Sequence, residues 1–372
     1  MTKVFEPKDA EEVQHAVGVA VADRTPLEIV GHGSRRALGE PVGAEVVLNL
    51  AKLSGVVVYE PNELILTVKA ATPIAEIEAL LAGKRQHLAF EPPDFGPLWG
   101  QPAQRGTIGG ALAIGLGGPR RFQAGGPRDH LLGFKAVNGF GEAFAAGGRV
   151  VKNVTGFDLP KLMAGAFGTL GVLTEVTLKV MPAPAERLTL AYRGRDEAAG
   201  LALLRKAVAS SAPVTGAAYS EGEALLRLEG LAEAVEAQSV HLAQLIGPAD
   251  EVLDEDQTKA LWARIGGAGL FADSDLPVWR LSAPPASGAK VGEAMRRAGS
   301  NRIVHDWAGG LIWAEGGEPR DLPDGVHWMR VCGAAGSAFS PQTPGVAALN
   351  ERVRAQFDPL GLFNPGRMGP RP

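Results

Sequence analysis

The chain has 372 residues, of which 45% are hydrophobic and 21% are charged, as is typical of soluble globular proteins. Its formal net charge of −4 argues against a nucleic-acid-binding protein, because such proteins usually carry a basic domain or stripe. No apolar run reaches the ~18 residues of a membrane-spanning helix, and the single cysteine, Cys332, excludes an internal disulfide and a cysteine-ligated iron–sulfur cluster.

The first half of the chain mixes helical and strand patterns. Asp9 and Glu12 have capping-box spacing and precede a helical repeat, which predicts a helix over 10–22. A helix is also predicted after 72, with Thr72 as its cap and Pro73 at its first position. Val176 and Val180 alternate with polar residues such as Thr177, which predicts a half-exposed strand. Further strands are predicted over 27–30, 45–50, 54–59, 64–71 and 132–138.

A run of prolines and alanines over 182–185 predicts a domain boundary, and the chain after it shows a different pattern of short strands and helices. A hairpin is predicted to turn at Glu221-Gly222, and a helix from 345 is predicted to end at Asp358-Pro359. The pattern of the second half therefore indicates a second α+β lobe. Its other predicted elements are strands at 188–192, 277–283, 301–307 and 311–315 and helices at 196–210, 231–245 and 256–265.

Glycines form three clusters: one at Gly31 and Gly33, one over 106–118, and one over 165–171. Glycine lets backbone N–H groups approach an anion, so each cluster is a candidate phosphate cradle, although tight turns also use glycine. Arg36 occupies the place of the last glycine of a Rossmann fingerprint, and no Walker motif is present. Arginines follow the second cluster and are either ligands of a diphosphate or solvated loop residues: Arg120, Arg121 and Arg128.

An ordered set of motifs resembles the FAD-binding (PCMH) superfamily of the vanillyl-alcohol oxidase type. The motifs are "GHGS", "EPPDFG", "GTIGGALA", "GGPRDHLLGFKAVNGFGE", "VKNVTGFDLPKLMAGAFGTLGVLTEVTLKVMP" and "FDPLGLFNPGRM". The resemblance implies an α+β fold in which a two-subdomain FAD-binding domain (1–182) is followed by an α+β cap lobe with an antiparallel sheet (187–340). A C-terminal segment (341–372) is expected to return to the FAD domain. Within the superfamily, "PVWRLSAP" and "HDWAGGLIW" are similar to the second FAD-binding subunit of bacterial glycolate oxidases.

The resemblance also implies where FAD binds. Its pyrophosphate is expected along the turn at 31–34, with 107–110 clasping it from the facing segment. Relatives that bind flavin covalently often place a histidine directly before the serine, where this chain has Gly33, so the FAD is expected to be non-covalent. The implied cofactor-binding residues are Val30, Gly31, His32, Gly33, Ser34, Pro93, Thr107, Ile108, Gly109, Gly110, Gly125, Gly126, Arg128, Asp129, Gly171, Val172, Leu173 and Asn364.

Catalytic residues are harder to assign. The histidine-rich "HGDGN"-like stretch of catalytic hydroxy-acid dehydrogenases in this family is absent, and no metal site is expected because the histidines are scattered. Oxidising a 2-hydroxy acid needs a base and a cation for the carboxylate, and the candidates are His305, Arg280 and Arg302. Lys152 and Asn153 lie in a family-like loop that faces either the flavin, a partner subunit or solvent.

Three interpretations remain open: a catalytic flavoprotein subunit of glycolate oxidase, a non-catalytic flavin relay or structural subunit of the same complex, and a stand-alone flavin oxidoreductase. For the first two, the expected partners are the larger FAD-binding subunit, an iron–sulfur subunit and a small 2-hydroxy-acid substrate. The acidic N-terminal residues are unlike a signal peptide and predict a cytoplasmic protein, peripheral at the membrane only through its partners.

Overall fold

A computed structural model of the chain describes residues 3–149, 157–334 and 336–369, so Lys152 and Asn153 lie outside the described residues. The first lobe contains a parallel sheet in the order β1-β3-β2, an antiparallel sheet in the order β4-β5-β9-β7-β8, and the antiparallel pair β6-β10. Its elements are β1 Lys3–Phe5, α1 Ala10–Asp23, β2 Leu27–Val30, β3 Val46–Asn49, β4 Val56–Glu60, β5 Ile65–Lys69, α2 Ile74–Ala82, β6 Gln86–His87, α3 Ile108–Ile114, α4 Arg121–Ala124, α5 Pro127–His130, β7 Leu131–Val137, β8 Ala143–Gly147, α6 Leu159–Met163, β9 Val172–Lys179 and β10 Met181–Pro182.

The second lobe is built on one eight-stranded antiparallel sheet in the order β14-β11-β13-β12-β16-β17-β15-β18. One face packs against α7, α8 and α10, and part of the other packs against the first lobe. Its elements are β11 Glu186–Tyr192, α7 Glu197–Val208, β12 Val214–Ser220, β13 Glu223–Gly230, α8 Ala232–Ile246, β14 Glu251–Leu253, α9 Glu255–Gly266, β15 Val278–Ser282, α10 Gly288–Arg297, β16 Ser300–Asp306, β17 Leu311–Gly316 and β18 His327–Cys332.

The C-terminal segment returns to the first lobe. Helix α11, Pro344–Phe357, packs Phe357 against the core beneath the five-stranded sheet. Phe363 then bridges in parallel to Leu27 of β2. The carboxylate of the buried Asp358 fixes this return, since it accepts hydrogen bonds from the backbone N–H groups of Leu362 and Phe363, each at 2.9 Å. The edge of the small parallel sheet is thus completed by the end of the described chain.

The predicted α+β class is confirmed, and most predicted elements are present within one or two residues at each end. Thr72 was wrong as a helix cap, because Pro73 holds the cap position of α2 and the Thr72 hydroxyl donates to the Lys69 carbonyl at 2.7 Å. Thr177 is 8% exposed rather than solvated and shares a 3.0 Å hydrogen bond with Thr67. Helix α10 and strand β18 were not predicted. The domain boundaries 1–182, 187–340 and 341–372 stay a prediction.

Candidate functional site

The loop that follows β2 forms one wall of a cleft in the first lobe, which we call the glycine cleft. The described residues that line the cleft include three arginines and no aspartate or glutamate, so it suits an anionic ligand. Its lining residues are Ile29, Val30, Gly31, His32, Gly33, Ser34, Arg35, Arg36, Leu38, Leu50, Ala70, Ala71, Thr107, Gly109, Gly110, Ala113, Ile114, Phe167, Gly168, Gly171, Leu173, Asn364 and Arg367.

The loop itself offers free backbone donors. Within the described chain, none of the backbone N–H groups from Gly31 to Arg35 donates to a protein acceptor. Gly33 has φ of +69°, a left-handed conformation that allows the chain to turn sharply between Gly31 and Arg36. Consecutive free N–H groups in such a turn bind phosphate oxygens in other proteins, so this loop has the donor set that a diphosphate requires.

The facing wall begins at Thr107, which caps α3 by accepting from the Gly110 N–H at 3.3 Å. A Cβ on Gly31 would lie 2.7 Å from the Thr107 hydroxyl, and a Cβ on Gly109 would lie 2.7 Å from the Ala70 carbonyl. The N–H of Gly109 already donates to that carbonyl at 2.7 Å, and the N–H of Ile108 donates to the Thr72 carbonyl at 3.0 Å. Glycine at 109 therefore allows α3 to approach the backbone of Ala70 closely, and its N–H is not free to bind a ligand.

Asn364 joins two further walls. Its side-chain oxygen accepts from the Ile29 N–H at 2.8 Å, and its side-chain nitrogen donates to the Phe167 carbonyl at 2.8 Å. A Cβ on Gly168, whose φ is +68°, would lie 2.7 Å from that nitrogen. The amide of Asn364 is thus used to hold the loop around Phe167 against β2, and its role at the cleft is to position these two segments.

Two arginines of the cleft have protein partners. Arg36 forms an ion pair with Glu28 that spans the loop. Arg367 donates to the carbonyls of Arg36 and Leu38 at 2.7 and 2.8 Å and is 7% exposed. Sequence reasoning missed Arg367, since its nearest sequence signal is only its place in the "NPGRM" motif.

Arg35 is the third arginine and was also missed, although it directly follows the predicted Ser34. One terminal nitrogen of its guanidinium donates to the Pro93 carbonyl at 3.2 Å, whereas its Nε is buried without a partner. Burial lowers the pKa of Arg35 to about 10, so it is still protonated at neutral pH. Its charge is therefore available to a ligand in the cleft.

Arg35 also lines a second, larger cleft of about 1820 Å³ between the lobes, together with the predicted Pro93. Arg120 and Glu229 form an inter-lobe ion pair there at 2.6 Å, and Arg227 pairs with Glu91 at 2.8 Å. Burial alone would raise the pKa of Glu229, but the charges of Arg227 and Arg120 outweigh it and lower that pKa. Arg120 and Arg227 are thus occupied in joining the lobes.

Several predicted cofactor residues line neither cleft. Ile108 and Val172 are fully buried core residues. Gly125, Gly126, Arg128 and Asp129 form a separate turn, in which the Asp129 carboxylate accepts from the Gly126 N–H at 2.8 Å. Arg128 is exposed beside it. The structure thus gathers the other predicted residues of segments 30–34, 107–110 and 171–173, together with Asn364, around the glycine cleft, but leaves the turn at 125–129 apart.

The three catalytic candidates lie in different surroundings. His305 is fully buried on the helix-covered face of the eight-stranded sheet, where its Nε2 is 3.2 Å from the Glu197 carboxylate of α7. Arg302 forms ion pairs with Glu315 at 2.6 Å and Asp273 at 2.8 Å. Neither residue lines either cleft, so their placement lends no support to the predicted catalytic roles.

Arg280 lies on the opposite face, toward the first lobe. It is 8% exposed, and its guanidinium carbon lies 5.1 Å from the Trp307 ring and 5.6 Å from the Trp313 ring. Burial lowers its pKa to about 10. Nearby, Asp306 is completely buried, with one carboxylate oxygen accepting from the Trp307 N–H at 2.7 Å and the other unpartnered within the described chain. Burial raises the pKa of Asp306 to about 7.

Comparisons with known proteins identify relatives of the chain. A family model described as an FAD binding domain matches residues 1–147. The chain is 34% identical over 359 residues to the glycolate oxidase subunit GlcE of Escherichia coli (strain K12), and the match covers 95% of each chain. A D-2-hydroxyglutarate dehydrogenase of Xanthomonas citri pv. viticola is 35% identical over 197 residues, which cover 51% of this chain and 39% of that one.

Solved structures of alkyldihydroxyacetonephosphate synthase share the fold. Two of them superpose with TM-scores of 0.69 and 0.70 over 97% of this chain, at 15% and 14% identity, and the match covers 75% and 76% of those chains. Within the described residues, no helix is long and apolar enough to cross a membrane. Nor do three or more His, Cys, Asp or Glu side chains come together there as a group that could hold a metal ion.

Proposed function

The chain belongs to the family of the glycolate oxidase subunit GlcE, and from that premise we propose that it is an FAD-binding subunit of a complex that oxidises glycolate to glyoxylate. FAD is the cofactor of the domain that matches its first 147 residues. The relatives that it matches over about half its length include dehydrogenases of D-2-hydroxyglutarate and D-lactate. A small 2-hydroxy acid is therefore the proposed substrate class of the complex.

The observation that carries the proposal is the run of backbone N–H groups from Gly31 to Arg35, which are free of acceptors among the described residues, in a cleft whose described lining has arginines and no acidic residue. These donors would hold the FAD pyrophosphate, and the close-packed glycines of the facing wall would leave room for the dinucleotide. When bound, FAD supplies the acceptor for a hydride from the substrate. We propose non-covalent binding, because Gly33 precedes Ser34.

Spectroscopy tests this cofactor assignment. The purified chain is expected to show flavin absorbance, and denaturation should release FAD into the supernatant because no covalent bond holds it. Gly109→Ala should lower the flavin content, since the added Cβ would lie 2.7 Å from the Ala70 carbonyl. Gly18→Ala is the matched control, because its Cβ would have no neighbour within 4 Å. Absence of flavin from the wild-type chain, combined with failure to bind added FAD, would refute the proposal.

A second candidate, a flavin relay or structural subunit without its own substrate chemistry, is favoured by the positions of His305 and Arg302. His305 packs beneath α7 and α10, and Arg302 is held by Glu315 and Asp273. Anaerobic mixing with glycolate and, separately, D-lactate distinguishes the candidates. Bleaching of the flavin in the isolated chain supports a catalytic subunit, whereas bleaching only in the reconstituted complex supports the relay.

We propose the larger FAD-binding subunit and an iron–sulfur subunit as partners, with the complex in the cytoplasm or at the inner face of the membrane. The chain has one cysteine, Cys332, so electrons that leave its flavin need another carrier. Phe157 is 89% exposed and Leu162 is 44% exposed, and such apolar surface is commonly covered by partner chains. Co-expression with both expected subunits, followed by affinity purification through this chain, tests the assembly.

A further inference from the structure

Arg35 is the one arginine of the glycine cleft that has no acidic partner within ion-pair distance in the described chain. Arg36 pairs with Glu28, and Arg367 lies 3.8 Å from the same carboxylate while it donates to two carbonyls. The side chain of Arg35 is partly exposed, but its Nε is buried without a partner, and a protonated guanidinium in such a position is unfavourable because its desolvation is not offset by an ion pair. A bound anion would therefore stabilise the charge of Arg35, which no acidic side chain of the described chain pairs with.

The acid that acts on Arg35 from a greater distance, Asp94, is committed elsewhere. One of its carboxylate oxygens accepts from the Gly96 N–H at 3.0 Å, and the other accepts from the Gln104 N–H at 2.6 Å. These bonds hold the loop that carries Asp94, so this carboxylate is not free to move toward Arg35. The missing counter-charge must come from outside the described chain.

The side chain of Arg35 is held in place by its neighbours. A Cβ on Gly106 would lie 2.6 Å from one terminal nitrogen of the guanidinium, so glycine at 106 leaves room for the guanidinium in its observed position. The other terminal nitrogen donates to the Pro93 carbonyl. Pro93 lines the larger cleft, whereas Gly110 lines the glycine cleft and a Cβ on it would lie 3.6 Å from a terminal nitrogen of Arg35, so the guanidinium lies between the two clefts. The guanidinium is thus preorganised for a ligand that lies between the two clefts.

Building on the proposed FAD binding, we propose that Arg35 is the side chain that binds the diphosphate of the dinucleotide, together with the free N–H groups of its own loop. A guanidinium presents paired donors that match phosphate oxygens, and such charge-assisted hydrogen bonds are roughly twice as strong as neutral ones. The site therefore recognises a nucleotide through its diphosphate. FAD and ADP share this group, whereas riboflavin lacks it.

Binding measurements on the flavin-free, full-length chain test the role of Arg35, with FAD, ADP and riboflavin as separate probes. Arg35→Gln is expected to weaken the binding of FAD and ADP by about 10- to 100-fold, as expected for lost hydrogen bonds to a charged group. Riboflavin binding should change less than twofold. Arg35→Lys should recover part of the loss, since it restores the charge. Arg297→Gln is the control, because Arg297 is exposed and lines neither cleft.

The outcomes separate this inference from the function on which it rests. A wild-type chain that binds neither FAD nor ADP overturns both. If the wild-type chain binds both ligands and Arg35→Gln binds them equally well, only the role of Arg35 is overturned. A parallel loss of riboflavin binding also overturns it, since a defect common to all three probes would reflect a damaged cleft. Thermal unfolding of each variant shows whether the fold is retained.

Discussion

Asp306 provides a sharp test of how burial controls charge in the interface between the lobes. The carboxyl group is fully buried, and burial raises its pKa from 3.8 to about 7. Each factor of ten in an acid constant corresponds to about 1.4 kcal/mol, so ionised Asp306 costs the folded state up to about 4 kcal/mol. Asparagine removes this cost and can still accept the hydrogen bond from the Trp307 N–H. We therefore expect Asp306→Asn to be more stable than the wild type at high pH.

The sign follows from proton binding. Below about pH 4 the carboxyl is protonated in both the folded and the unfolded chain, so the wild type carries no penalty. Between about pH 4 and about pH 7 the unfolded chain loses this proton while the folded chain keeps it, so the stability of the wild type falls as the pH rises. Above about pH 7 the penalty is complete. The advantage of Asp306→Asn should thus grow across this window and then level off.

Urea unfolding followed by tryptophan fluorescence measures the difference, because Trp307 and Trp313 lie beside Asp306 in the core of the interface. Wild type and Asp306→Asn are compared at several pH values between about pH 4 and about pH 8. Asn at the exposed position Asp275 controls for the loss of one negative charge. A difference in the free energy of unfolding that stays constant across this range would refute the reasoning, since a titrating buried carboxyl cannot produce it.

Three other substitutions probe the site. Asn364→Ala should lower the free energy of unfolding by about 2–4 kcal/mol in urea titrations, because it leaves the Ile29 N–H and the Phe167 carbonyl without partners; an unchanged midpoint would contradict this. His305→Gln should leave the rate of flavin reduction by glycolate in the reconstituted complex unchanged, since the side chain lies beneath α7; a loss of 100-fold or more at full flavin content would restore His305 as a base. Arg36→Gln should weaken FAD binding less than Arg35→Gln in the same titration, because Glu28 already neutralises Arg36; equal losses would contradict this.

Local patterns sufficed for much of the fold. Helix α1 and strand β2 begin and end within a residue of their predicted limits, since side-chain periodicity and a capping aspartate are encoded within a few residues. The hairpin at Glu221-Gly222 is equally local. Helix α10 was missed because it starts at Gly288, and no side chain caps its first turn. The helix begins with the small residues Gly288 and Ala289, which are also common in loops and do not indicate a helix.

The candidate site depended on contacts between distant segments. The glycine clusters and the resemblance predicted that 30–34, 107–110 and 171–173 come together, and all of these residues except Ile108 and Val172 line one cleft. The sequence could not predict which backbone N–H groups are free to bind a ligand. The Gly109 N–H donates to the Ala70 carbonyl, whereas the N–H groups around Gly33 have no acceptor in the described chain. Strand alternation likewise does not reveal which face of β16 meets the first lobe, so the sequence could not place His305 on the helix-covered face.

The hydrogen bond between Asn364 and Ile29, which lies 335 residues earlier, constrains the order in which parts of the protein can form during synthesis. A ribosome delivers β2 early, but the amide that braces β2 against the loop at Phe167 emerges only after the entire second lobe has been synthesised. The nascent chain therefore cannot seal this wall of the glycine cleft until the second lobe has been synthesised. The glycine cleft is accordingly incomplete on a nascent chain that has not yet produced Asn364, and a truncation before this residue would leave the Ile29 N–H and the Phe167 carbonyl without these partners.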